Sequence, residues 1–147
     1  MIAVSACLAR RACRYDGKAN TVQALKAMVE RGEAVPICPE VLGGLGIPRD
    51  PCERQGCQIC TQSGKDCTAE YRKGAEAALA LIQEHHITLA VLKAKSPSCG
   101  KGLIYDGSFT RTLTEGHGLT AELFIRNGVR VFTEDEWQEE KENSQKA

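Results

Sequence analysis

Three cysteines far apart in the chain, Cys7, Cys38 and Cys99, occupy comparable settings. Each lies at or just beyond the end of an apolar run, and Cys38 stands beside Pro39 and Cys99 between Ser98 and Gly100. Thiolates are soft anionic ligands of the kind that hold iron–sulfur clusters. A four-iron cluster on three thiolates keeps one iron free of protein sulfur, and an open coordination position lets a metal centre bind and polarise a substrate. For any one cysteine the plainer role is a small buried core residue, since free cysteine is among the most buried types. Three at equivalent strand ends favour the ligand reading.

Other groups stand close to these thiols in sequence. Glu40 follows Cys38 by two residues in Cys38-Pro-Glu40, so it can serve as general acid/base or as a ligand to an incoming sulfur at the same site, with a surface carboxylate as the alternative. Ser96 and Ser98 flank Pro97 just before Cys99; their hydroxyls can bond a substrate ring or a sulfur, or simply stabilise the loop. Cys13 is open between a fourth ligand, a resolving thiol and a spare buried cysteine. Cys52, Cys57, Cys60 and Cys67 form a second group that can hold zinc, although the outer spacings differ from a standard knuckle. Arg14-Tyr-Asp-Gly17 and Tyr105-Asp-Gly107 are first of all turn signals, with donors placed at the pocket rim as the alternative. Gly43-Gly-Leu-Gly46 lacks the spacing of a phosphate-binding loop and is assigned to backbone conformation around the site.

The elements that must position these residues alternate. Ile2 to Ala6, Ala34 to Cys38, Ile87 to Leu92 and Val129 to Phe132 are apolar runs of strand length. Between them, Val22, Leu25, Met28 and Val29 share a helical face, with Asn20 as cap and Gly32 as stop. Tyr71, Ala75, Ala78, Leu79 and Ile82 do the same in a helix from Thr68, where Gly74 is a weak spot unless close packing uses it. A short helix capped by Thr120 ends at Asn127-Gly128, and Thr133 with Glu136 makes a capping box for a terminal helix. From about residue 139 the chain is polar and expected to fray. The expected fold is a single α/β domain over residues 1–147. It has an open, mostly parallel four-stranded sheet, helices on both faces and the site at the carboxyl ends of the strands.

Composition narrows the partners. Lys plus Arg and Asp plus Glu number 19 each, so no global field draws in nucleic acid or an acidic membrane, and a small-molecule partner is favoured. No run approaches the length of a membrane span. Eight cysteines without an export signal point to metal or thiol chemistry in the cytoplasm rather than to disulfides. A monomer or weak dimer is expected.

Taken together and in order, Ser5-Ala-Cys-Leu8, Cys13-Arg-Tyr-Asp-Gly17, Cys38-Pro-Glu-Val-Leu-Gly-Gly44, Pro48-Arg49, Lys95-Ser-Pro-Ser-Cys-Gly100 and Tyr105-Asp-Gly107 resemble the 2-thiouracil desulfurase family, from residue 1 to about residue 135. The resemblance implies a [4Fe–4S] cluster on three cysteines, which map onto Cys7, Cys38 and Cys99. It also implies a catalytic glutamate and serine, which fall on Glu40 and on Ser96 or Ser98, with Ser96 preferred. The implied chemistry is hydrolytic and non-redox. The thiocarbonyl sulfur of a thiolated pyrimidine-like molecule passes to the open iron, water attacks the ring carbon, and Glu40 activates that water or shuttles its proton. Arg10 stands where the family usually has glycine, and the cysteines at 52, 57, 60 and 67 fall outside its pattern. The alternatives are a cluster-bearing carrier that hands sulfide to a sulfur-accepting partner, and a zinc-stabilised binding module built on Cys52 to Cys67.

Overall fold

A strand that is apolar on both faces is stable only where helices cover it from two sides. The computed structural model, which describes residues 1–9, 13–17, 19 and 21–146, meets that demand with one four-stranded sheet. In chain order its elements are β1 (Ile2–Ser5), a 3-10 turn (Ala6–Ala9), α1 (Gln23–Glu30), β2 (Ala34–Ile37), α2 (Pro39–Leu42), β3 (Cys52–Gln55), β4 (Gln58–Thr61), α3 (Thr68–Glu84), β5 (Leu89–Leu92), β6 (Leu103–Tyr105), β7 (Leu113–Glu115), α4 (Leu119–Arg126), β8 (Arg130–Thr133) and α5 (Glu134–Lys146). The main sheet has the order β2-β1-β5-β8 with every pair parallel. The chain builds outward from β1 to β2, then crosses to the other side of β1 for β5. The winding therefore reverses between β1 and β5, and a crevice opens at their carboxyl ends.

Alternation of side chains divides the core into two layers. Ala3, Ile37, Ala90, Leu92 and Val131 meet Ala78 and Ile82 of α3 and Ala121 and Phe124 of α4. Val4, Ala34 and Val91 meet Leu25 of α1 and Trp137 of α5 on the opposite face. Pro36 sits in β2, an edge strand, where a missing N–H is tolerated. The expected capping box is formed: Thr133 N–H donates to Glu136 Oε1 at 3.0 Å and Glu136 N–H to Thr133 Oγ1 at 3.1 Å. Gly74 is used for close packing, because a Cβ there would overlap the Pro39 carbonyl, and one on Gly43 would overlap the Glu70 carbonyl. These two glycines seat α2 directly on α3.

Several expectations are corrected. Two antiparallel hairpins, β3–β4 and β6–β7, lie outside the strand–helix alternation; their strands are short and half exposed, so they lack the long apolar run that marks the sheet strands. Gly118, not Thr120, occupies the cap of α4. Thr120 is fully buried within the first turn, where its hydroxyl bonds Ser98. The polar segment from residue 139 is helical, continuing α5 to Lys146. Val22 stands at the cap of α1 without a side-chain bond; Asn20 and Arg10 lie outside the described residues. No described helix is long and apolar enough to cross a membrane.

Candidate active site

Each of the three sheet-end cysteines is carried by a different connection. Cys7 lies in the 3-10 turn after β1, Cys38 caps the amino end of α2 after β2, and Cys99 lies in the loop after β5. All three line one cavity of about 570 Å³ at the β1/β5 crevice, together with Cys13, Glu40 and Ser96. The strand ends are tied there by Ser5, whose Oγ accepts the Lys93 N–H at 2.9 Å. Burial pushes the Cys99 thiol up to about 12, against the Ser5 and Ser98 hydroxyls, which favour its thiolate. A bond to Cys13 and then burial raise Cys38. Cys13 sits between Cys38 and Cys7; the first favours its thiolate, while Cys7 and burial carry it up to about 11. A bound metal must displace these protons.

Among the described residues no three His, Cys, Asp or Glu side chains close on a point that could hold a single metal ion. Cys7, Cys38 and Cys99 instead surround a void, which suits a polynuclear group whose thiolates each take a different iron. The zinc quartet does not form. Cys57 is exposed in the tight turn between β3 and β4, while Cys52 and Cys67 are buried beside Ile59 and Tyr71. Backbone pairing sets Cys60 opposite Glu53 and Cys52 opposite Thr61, and with Cys57 out at the turn the four sulfurs do not share a centre.

Glu40, in the first turn of α2, meets a cation that spacing did not reveal. Arg49 Nε donates to Glu40 Oε2 at 3.0 Å and its Nη2 bonds the same oxygen; Nη2 also reaches the Cys13 carbonyl at 3.1 Å and Nη1 the Gly46 carbonyl at 2.9 Å. Burial works against the guanidinium's charge, yet the Glu40 carboxylate beside it more than restores it. From α3, Tyr71 bonds Glu40 and Cys52, and burial followed by the negative charge of Glu40 drives its phenol far up, so it remains a donor. The Ser96 Oγ accepts the N–H of Ser98 and of Cys99, each at 3.0 Å, which leaves its own proton to donate. Ser98 stands behind Cys99 and does not line the cavity; its Oγ is 2.8 Å from Thr120 Oγ1 in the core. Arg14, Tyr15, Tyr105, Phe109 and Arg111 form the mouth, so the two Asp-Gly turns do reach the rim.

A family model described as 2-thiouracil desulfurase matches residues 2–136. The chain is 40% identical over 146 residues to YbbK of Bacillus subtilis, described as an uncharacterized protein, covering 92% of this chain and 97% of that one. Among solved structures it matches a [4Fe-4S]-dependent thiouracil desulfidase, TudS, with a TM-score of 0.89 and 47% identity, covering 94% of this chain and 93% of that one.

Proposed function

The chain belongs to the 2-thiouracil desulfurase family, and from that premise we propose that it hydrolyses a thiolated pyrimidine of the 2-thiouracil type, with a [4Fe–4S] cluster held by Cys7, Cys38 and Cys99. The observation that carries the reading is the convergence of three thiols from three strand ends with the Glu40–Arg49 pair and Ser96 around one cavity. TudS, similar over almost the whole chain, is described as [4Fe-4S]-dependent. A cluster bound there, with one iron free of protein sulfur, supplies a Lewis acid and an acceptor for the departing sulfur.

The protein's own groups do the rest. Glu40, fixed in direction by Arg49, takes a proton from the attacking water at a carboxylate oxygen. Ser96, its lone pairs engaged by two backbone N–H groups, turns its O–H toward the substrate or the water. In the overall reaction a C=S bond is replaced by C=O and sulfide is released, with no net electron transfer. A small-molecule substrate suffices, a cytoplasmic setting would keep the eight cysteines reduced, and a monomer contains every group named.

The test is anaerobic reconstitution with iron and sulfide, followed by metal analysis, absorbance near about 400 nm and assay of uracil and sulfide formed from 2-thiouracil. The iron–sulfur absorbance is expected to need Cys38 and not Cys57. Zinc alone, lost in Cys57→Ala, would overturn the reading. A cluster that yields sulfide only when an accepting protein is added would mark a carrier instead.

A further inference from the structure

The loop joining β6 to β7, residues 106–112, forms one side of the cavity mouth through Phe109 and Arg111. Its backbone is unusual. Gly107, Phe109 and Arg111 have φ of 95°, 58° and 61°, so alternate residues occupy the left-handed region that side chains other than glycine seldom adopt. Such alternation turns N–H groups to one side and makes a concavity that suits an anion. The anion here belongs to the protein. Glu53, on β3 across the mouth, accepts the Gly107 N–H at 2.9 Å and the Phe109 N–H at 3.1 Å, both on Oε1.

The loop's inner shape is set locally, by Ser108 N–H on Asp106 Oδ1 at 2.9 Å and Asp106 N–H on the Thr112 carbonyl at 3.0 Å. Its hold on the opposite wall runs through Glu53 and through close packing at Gly107, where a Cβ would come within 3.0 Å of Gln55 Cβ. Glu53 itself lines the cavity, so one carboxylate stands between the site and the segment that covers it.

We propose that Glu53 is a positioning residue, a latch that fixes the 106–112 loop so that Phe109 and Arg111 face the substrate. Only the identity of the substrate rests on the function proposed above; the latch is a property of the fold. The two are tested together by amide hydrogen exchange on the full-length protein and by steady-state turnover of 2-thiouracil on the reconstituted enzyme. The variants are Glu53→Ala, Glu53→Asp, Glu53→Gln and Arg111→Ala.

Loss of the acceptor in Glu53→Ala is expected to speed exchange in the loop by about tenfold or more. It should raise KM by about fivefold or more while kcat stays within about twofold, with iron content unchanged. Glu53→Asp keeps the charge but loses the reach and should change in the same direction. Glu53→Gln keeps an acceptor at the same length and should restore most of both readouts. Arg111→Ala should raise KM without releasing the loop. Unchanged exchange in both Glu53→Ala and Glu53→Asp overturns the proposal, as does a released loop with unchanged KM. If the wild type binds iron but leaves 2-thiouracil intact, the substrate assignment fails and exchange alone decides the latch.

Discussion

Glu40 depends on Arg49 for more than charge. The guanidinium spans Glu40, the Cys13 carbonyl and the Gly46 carbonyl, so it fixes a carboxylate direction and also fastens the Cys13 segment to the loop after α2. A planar fork with several fixed donors does this; an ammonium does not. Arg49→Lys keeps a positive charge in a half-closed site and should spare the fold, yet lower kcat by roughly tenfold through loss of orientation. Glu40→Gln removes the proposed base itself, and a fall in kcat of about 10²–10⁴ is expected, with iron content unchanged in both variants. Equal turnover in Glu40→Gln and wild type would place the proton acceptor elsewhere.

At the scale of elements, α2 is only Pro39–Leu42, too short to be stable alone, and its position comes from contact with α3. Gly43 and Gly74 allow the backbones to touch. Gly74→Ala therefore forces α2 away from α3 and should cost about 1–3 kcal/mol, read as a lower Tm, and it should slow turnover because Glu40 rides on α2. Sequence exposed the parts of this arrangement with local signatures: the sheet strands through their apolar runs, α3 through its periodicity, Gly74 as an anomaly with a packing reason, and the Thr133/Glu136 box. It concealed what depends on distant partners. Arg49 meets Glu40 only because a loop folds back, Ser98 faces Thr120 only because α4 packs on its loop, and the hairpins draw stability from pairing rather than from apolar runs. The capping box adds a pH dependence. Burial works to raise the Glu136 carboxyl, but Lys101 and the Thr133 amide outweigh it and hold it low. A depressed folded pKa stabilises above the unfolded carboxylate value and loses that contribution as pH falls through the folded one. Glu136→Gln retains the cap but not the charge. Its Tm deficit, worth under about 1 kcal/mol for so exposed a pair, should be present at neutral pH and vanish in acid.

Across the whole molecule, the last element secures the loop after β5. The 93–101 segment carries Ser96 and Cys99 into the cavity, and both of its ends are fastened to the opening turn of α5. Glu134 Oε1 accepts the Ala94 N–H at 2.8 Å, Glu134 Oε2 pairs with Lys93 at 3.3 Å, and Glu136 Oε2 pairs with Lys101 at 2.9 Å. At the other wall Ser5 of β1 holds the Lys93 N–H, so the loop hangs between the first strand and the final helix, while Trp137 locks that helix onto the α1 face of the sheet. Removal of the Glu134 carboxylate leaves the Ala94 N–H without its acceptor, at a cost of about 1–3 kcal/mol, and that cost falls on the loop that presents Cys99. Glu134→Ala is therefore expected to keep its helical content by circular dichroism but to release iron to a chelator several-fold faster, on the order of tenfold, as loss of a group supporting a metal ligand does elsewhere. Glu134→Gln, which keeps the acceptor and loses only the pairing with Lys93, should fall between Glu134→Ala and wild type. Iron release at the wild-type rate in Glu134→Ala would mean that Ser5 and the sheet alone hold the ligand loop, and that α5 serves the core without serving the site.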